Sequence, residues 1–364
     1  MAGSDTEIRN SAFVLGTDLS FRYEDRAVPI IQEPKQVIVR IIATGVCGSD
    51  VHYWQHGGIG PYKVQEPIVL GHESAGVVVS CGESVKSVSV GDRVAVEPGI
   101  SCKSCEDCRS GRYNLCADMQ FAATPPYDGT LSAYYRVPEE CCFRLPSSIS
   151  MRDAALIEPL SIAVHCCRLA GDMQGKSIVV FGAGPVGQLC CSVAKAFGAR
   201  AVLVADVVDS RLKFASKKGA THVFKMREAS PKDNAIALLA ALEEPSGNDI
   251  VIDATGAQPC IECGIESLRR GGTFVQAGLG SPKITFPVGL ICDKEAVFQG
   301  SFRYGPGDYK LAIACVASGR VDLDGFVTQT FPFLEAQGAF ETVLQKQGIK
   351  SVIWGPDVEG GQYY

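Results

Sequence analysis

The sequence has no basic stripe. Its 34 lysines and arginines are scattered among 40 acidic residues, for a net charge of −6 and a pI near 5.5. That excludes the electrostatic footprint of a nucleic-acid binder. The opening MAGSDTEIRNSAF has neither an apolar core nor a cleavage signature, so secretion is not expected. The closing GGQYY carries no readable address signal. One run invites a membrane reading: the 17 uncharged residues 178–194. It is short for a span and contains three glycines and Pro185, which suit a buried strand, a turn and a helix. Internal repeats and low-complexity segments are also absent. The expectation is a protein with no nucleic-acid or membrane partner.

What is there is ordinary for a soluble enzyme, with 46% hydrophobic and 20% charged residues. The chain of 364 residues is too long for most single cores, so two domains are expected. Cysteine is plentiful, at 16 residues, several as adjacent pairs (Cys141–Cys142, Cys166–Cys167, Cys190–Cys191). Neighbours of that kind rarely bridge each other. Many thiols without a signal peptide indicate a reducing compartment, and a cytoplasmic location is expected.

The first ~155 residues read as short strands and turns, through QVIVRIIATGVC, PIVLGHESAGVVVSCG and DRVAVEP. After Glu158 the texture changes. IVVFGAG, AVLVAD and DIVIDATG are apolar strands, and PVGQLCCSVAKAFG and DSRLKFASKKGA are helical patterns between them. SLRRGGTFVQAG follows as a turn and a strand. Such alternation predicts a parallel sheet with helices on both faces. From about residue 295 the chain turns mixed again, with helices over DYKLAIACVASG and around LEAQGAFETVLQ. An α/β domain at 159–296 is thus expected inside a β-rich domain formed by 1–158 and 297–364.

GAGPVG spans Gly182, Gly184, Pro185, Val186 and Gly187 and matches G-x-G-x-x-G. It directly follows the strand SIVVF and opens a helix, and a second strand ends at Asp206, 19 residues after Gly187. That context makes it a dinucleotide site. Gly182 permits a tight turn, Gly184 lets backbone approach a pyrophosphate, and Gly187 lets helix and strand pack closely. The helix N-terminus then offers free N–H groups to the anion. Asp206 can accept bonds from both hydroxyls of an adenosine ribose and would repel a 2′-phosphate. Val207 and Val208 bring no cation there, so NAD is expected over NADP. Arg211 either lies over the adenine or is a solvated helix residue.

Upstream, GVCGSDVHYW holds Cys47, Ser49, His52, Tyr53 and Trp54, and GHESAG holds His72 and Glu73. A thiolate, an imidazole and a carboxylate suit zinc, and three protein ligands with one open position is the catalytic pattern. Taken singly, Cys47 could be a small buried hydrophobe, His72 a structural histidine and Glu73 an outer partner. Beside a dinucleotide fold the zinc reading prevails. Zinc would polarise a substrate hydroxyl so that a hydride can leave for nicotinamide.

These motifs, with IEPLSIAVH around Glu158 and SFRYG at 301–305, make the chain resemble the zinc-dependent medium-chain dehydrogenases over almost its whole length. Within them it is similar to the polyol branch, the sorbitol, xylitol and L-arabinitol dehydrogenases, and most of all to fungal xylitol dehydrogenases. The resemblance implies a GroES-like β-rich catalytic domain beside a doubly wound Rossmann NAD-binding domain. It implies that Cys47, His72 and Glu73 hold a catalytic zinc, with Glu158 in the inner or a water-bridged shell. It places Ser301, Phe302 and Arg303 along the cofactor, and Tyr53, Glu158, Arg303 and Tyr304 on the substrate. Ser49 and His52 could carry the hydroxyl proton to solvent, although His52 could equally be a surface histidine and Arg303 a salt-bridge partner. It further implies a homotetramer acting on a polyol or its ketose: xylitol to D-xylulose, with sorbitol and L-arabinitol as alternatives. A non-catalytic descendant would have lost these ligands.

The four cysteines of GISCKSCEDCRSGRYNLC, residues 99–116, are Cys102, Cys105, Cys108 and Cys116. Two x2 loops and one x7 loop put four thiolates within reach of one tetrahedral centre with no open position, which suits a structural zinc. The run starts like a ferredoxin motif, but the fourth cysteine is not three residues on and no proline follows it. Cys260 and Cys263 form another C-x2-C at the start of an expected helix and read as packing residues.

Overall fold

The computed structural model describes residues 8–356 and 358, so the readings of the first seven residues and of GGQYY lie outside it. The chain divides into two compact units, Met1–Glu158 with Leu323–Tyr364, and Pro159–Asp322. The second crossing falls at 322/323 rather than near residue 297. The strand Val297–Gly300 pairs in parallel with Leu268–Gln276, and the helix Asp308–Ala317 stays in the same unit.

The first unit is built on a seven-stranded sheet. Its long central strand, Gln36–Gly45, pairs with Glu73–Cys81, Tyr134–Pro138 and Lys350–Trp354, all antiparallel. Val37, Val39, Ile41 and Val78 are all but fully buried, and they face Val94 and Val96 in one apolar cluster. A second cluster gathers Phe13, Leu15, Leu70 and Phe340. At roughly 2 kcal/mol for each large apolar side chain removed from water, these two clusters hold the unit together.

The strand-like reading of the first ~155 residues missed the helix Gly48–His56. Its termini explain why nine residues suffice. Asp50 accepts a hydrogen bond from the Cys47 N–H (3.2 Å), and Gly57, at φ +66°, closes the far end with its N–H on the Tyr53 carbonyl (2.8 Å). The helix Pro231–Leu242, with Ser230 as its N-cap, was likewise not read from the sequence.

The second unit is a six-stranded parallel sheet. In space the strands run His222–Lys225, Ala201–Asp206, Ser177–Phe181, Asn248–Asp253, Leu268–Gln276, Val297–Gly300. In chain order that is third, second, first, fourth, fifth, sixth, the doubly wound pattern whose ligand crevice lies where the order reverses. Every residue of Ser177–Phe181 is buried, as a strand covered on both faces must be. The run 178–194 is therefore a core strand, a turn and most of the helix Pro185–Ala196. Among the described residues no helix is long and apolar enough to cross a membrane.

Candidate metal centre and dinucleotide site

Two ligand groups stand out among the described residues. In each, one donor atom from every member lies within 4.8 Å of all the others: Cys47, His72 and Glu73 in one, Cys102, Cys105, Cys108 and Cys116 in the second.

The first group forms where three pieces of the first unit meet. Cys47 precedes the helix Gly48–His56, so its sulfur sits at a partly positive helix N-terminus. His72 and Glu73 lead into the strand Glu73–Cys81, and Glu73 stands opposite Gly45 in register. A Cβ on Gly45 would fall 2.2 Å from Glu73 Oε2, so only glycine leaves room for that carboxylate. His72 and Glu73 are 7% and 1% exposed. A soft thiolate, an imidazole and a carboxylate held this close fit zinc.

Two side chains complete the site that sequence reading missed. Asp50 Oδ1 lies 3.4 Å from His72 Nδ1, and the same carboxylate accepts the Gly71 N–H (3.1 Å). Holding one ring nitrogen orients the other, the usual way a metal-binding histidine is aimed. Burial disfavours charge on His72, but Asp50, with Cys47 behind it, outweighs burial and raises its pKa well above 6.5. Lys350 Nζ lies 2.7 and 2.5 Å from the two Glu73 carboxylate oxygens and 3.2 Å from the Val46 carbonyl. Lys350 begins a strand whose Val352 pairs with Gly45, which carries its ammonium past the end of the central strand. Burial opposes its charge, yet Glu73 and then Cys47 raise its pKa above 10.5. Asp50 had a local signal, three residues after Cys47 at a helix start. Lys350 had none, at 277 residues from Glu73.

Glu158 is 3% exposed in the first turn of the helix Ile157–Leu169. It stands outside the close group of three and contributes to the field on Lys350. Ser49 is half-buried and His52 exposed, its ring 4.5 Å from that of His56. Tyr53 is 4% exposed and packs in the apolar cluster around Phe13, with burial raising its pKa and Thr124 as a side-chain partner.

The second group is the lobe at 99–116. Cys102 Sγ and Cys108 Sγ lie 3.9 Å apart, nearly twice a disulfide length and close to the ~3.8 Å edge of a tetrahedron built on Zn–S bonds of about 2.3 Å. All 16 cysteines are free thiols. Backbone N–H groups of Ser104 and then Cys105 pull the Cys102 thiol down to about 6, which favours the thiolate a metal needs. Tyr113 donates to Glu97 (2.6 Å) and pins the lobe beside the strand Arg93–Val96.

In the second unit the phosphate loop has the expected geometry. Gly182 has φ +93°. A Cβ on Gly187 would lie 1.8 Å from the Gly182 carbonyl oxygen, so glycine is obligatory there. A Cβ on Gly184 would meet nothing within 4 Å, which leaves open backbone in front of the uncapped N-terminus of Pro185–Ala196. Asp206 ends its strand with Oδ2 accepting from the Ala183 N–H (2.6 Å) and Oδ1 from the Val208 N–H (2.9 Å). These residues fit a dinucleotide. Arg211 sits half-buried in the helix Asp209–Ala215, its carbonyl accepting from Gln188 (3.0 Å). Cys260 and Cys263 lie in the helix Gln258–Ser267, and Cys263 packs in the core of this unit. The segment after Val297–Gly300 holds Ser301, whose N–H reaches the Gln276 carbonyl (2.7 Å), half-exposed Phe302, Arg303 at φ +57°, and buried Tyr304. The Arg303 guanidinium stacks 4.7 Å above the Phe302 ring.

Residues 33–147 match the model of the alcohol dehydrogenase GroES-like domain, and residues 185–318 that of zinc-binding dehydrogenases. D-xylulose reductase A of Aspergillus niger is 50% identical over 357 residues, 98% of this chain and 100% of the relative. Among solved structures, an Escherichia coli oxidoreductase/dehydrogenase of unknown specificity superposes with a TM-score of 0.89 at 32% identity, over 96% of this chain and 100% of the other. L-idonate 5-dehydrogenase of Escherichia coli superposes at 0.86 with 27% identity, over 95% and 98%.

Proposed function

This chain belongs to the zinc-dependent medium-chain dehydrogenases, and we propose that it interconverts xylitol and D-xylulose with NAD as hydride acceptor. The observation that carries the reaction class is the close group of the half-buried Cys47 thiol with the buried His72 imidazole and Glu73 carboxylate. The near full-length similarity to D-xylulose reductase A supports the choice of polyol.

A zinc ion bound there would supply a Lewis acid that favours ionisation of the substrate hydroxyl. Cys47, His72 and Glu73 would hold it, while Asp50 fixes the His72 ring and Lys350 balances the Glu73 charge. Bound NAD would supply the acceptor for the hydride of the carbinol C–H in the oxidation direction, and the O–H proton would go to solvent. Ser49 and then His52 carry that proton: they share the helix Gly48–His56, three residues apart and so on one face, and His52 is exposed to water. Glu158 would act on the metal from the inner shell or through a water. Arg303 and Tyr304 donate to the further hydroxyls of the polyol. Ser301, Phe302 and Arg303 border the cofactor.

Asp206 selects NAD. Its carboxylate is held by two backbone N–H groups at the strand end, and its neighbour Val207, 68% exposed, brings no cation for a 2′-phosphate. The four-cysteine lobe binds a second, structural zinc. We place the enzyme in the cytoplasm as a homotetramer.

The test is initial rates of NADH formation with xylitol, sorbitol, L-arabinitol, ribitol and ethanol, before and after dialysis against a chelator. Chelator-sensitive rates with xylitol at the head of the kcat/KM ranking are expected. Sorbitol or L-arabinitol at the head would replace the substrate and keep the class. Activity on ethanol alone would overturn the polyol reading, and none at all in zinc-loaded protein would indicate a non-catalytic descendant.

A further inference from the structure

The helix Ile157–Leu169 is laced to the segment 299–308 by a polar cluster that the chemistry above does not use. Asp308, fully buried, is its hub. Its Oδ2 accepts from the Gly305 N–H (2.6 Å) and from His165 Nδ1 (2.8 Å). Its Oδ1 accepts from the Arg168 guanidinium, which also donates to the Pro306 carbonyl (2.9 Å). Nearer the start of the segment, the Cys166 thiol donates to Ser301 Oγ (3.3 Å) and Gln299 donates to the Leu169 carbonyl.

The helix therefore holds residues 299, 301, 306 and 308, and Asp308 in turn holds Gly305, so that these contacts bracket Phe302, Arg303 and Tyr304. Arg303 lies in the left-handed region at φ +57°, a conformation that a long side chain adopts only where its surroundings impose it. Tyr304 is 2% exposed and meets Tyr309 edge-on at 5.0 Å, in the helix that Asp308 begins. The two bracketed donors thus owe their placement to a clamp whose hub, Asp308, is fully buried.

We infer that His165, Asp308 and Arg168 are positioning residues that preset Arg303 and Tyr304 for a polyhydroxylated substrate, so that they govern preference for polyols over alcohols with few hydroxyls. This rests on the proposed role of Arg303 and Tyr304 as substrate contacts. His165 acts through its Nδ1–H on a carboxylate already shared with the loop backbone. Without that donor Asp308 keeps its two other partners, and the loop shifts rather than unfolds.

The experiment compares kcat/KM for xylitol with that for 2,3-butanediol, which has a single further hydroxyl, in the parent, His165→Leu, His165→Asn and Arg303→Met enzymes. In His165→Leu the xylitol-to-butanediol ratio should fall roughly ten- to a hundredfold, the scale of an ångström-level misplacement. His165→Asn keeps an N–H near the Nδ1 position and should restore most of the ratio, which a purely structural role would not predict. An unchanged ratio in folded His165→Leu, with a lowered ratio in Arg303→Met, overturns the clamp while sparing the substrate loop. An unchanged ratio in Arg303→Met overturns the loop reading itself. If His165→Leu does not fold, Arg168→Met removes the Pro306 and Asp308 contacts from a half-exposed side chain and carries the same expectations.

Discussion

Replacing Lys350 by methionine tests the electrostatics of the metal centre directly. Lys350 and Glu73 have side chains 4% and 2% exposed, and the ammonium contacts both carboxylate oxygens. Methionine keeps the volume of the stem but leaves a buried carboxylate without its cation. Removing one partner of such a pair costs about 3–5 kcal/mol. At roughly 2–4 °C per kcal/mol for a unit of this size, the metal-free protein should lose roughly 6–20 °C in Tm. A divalent ion in the site offers Glu73 a second counter-charge, so the loss should shrink in metal-loaded protein. Adding Glu73→Gln to Lys350→Met removes the stranded charge and should recover most of the metal-free loss, a clear departure from additivity. Calorimetry of the parent, both single variants and the double variant, with and without chelator, measures every term. A metal-free Lys350→Met protein within about 2 °C of the parent, or a double variant with additive losses, would refute the pairing as the force that holds Glu73.

Three further outcomes are expected. Asp206→Ala with Val207→Arg should move the NADP-to-NAD ratio of kcat/KM by at least roughly tenfold, about 1.4 kcal/mol, and an unchanged ratio removes Asp206 as the selector. Cys102→Ser should lower Tm by roughly 5 °C or more, with turnover per folded molecule within about twofold; lost turnover in well-folded protein would contradict a purely structural lobe. Asp249 accepts from the Ser177 N–H (2.9 Å) and from Arg269 Nε (2.7 Å). Burial opposes its ionisation, but those donors outweigh it and hold its pKa below 3.8. Its contribution is therefore present above the unfolded pKa and lost as pH falls through the folded one. The Tm gap between parent and Asp249→Asn should be open at neutral pH and narrow as pH falls below 3.8, and a gap constant with pH would contradict this.

The linear sequence was enough wherever structure follows from near neighbours. The strand–glycine–helix order of SIVVFGAGPVG, the spacing to Asp206 and the close repeat of Cys102, Cys105 and Cys108 are local facts, because a turn, a helix terminus and a small metal loop are each built within a few residues. The same holds for the alternation that predicted the parallel sheet. It did not hold for the helix Gly48–His56, whose short polar run is stabilised by its two ends rather than by an apolar periodicity. Nor did it hold for the crossing at 322/323, because pairing of Val297–Gly300 with Leu268–Gln276 is a choice of partner that no local pattern records. Cys47, His72 and Glu73 were legible as residue types suited to zinc. That they converge, that Gly45 makes room for one of them, and that Lys350 arrives from the far end of the chain to balance its charge were decided by strand register. Sequence spacing governs what a segment can form on its own, whereas a buried charge finds its counter-charge only when the sheet brings distant strands side by side.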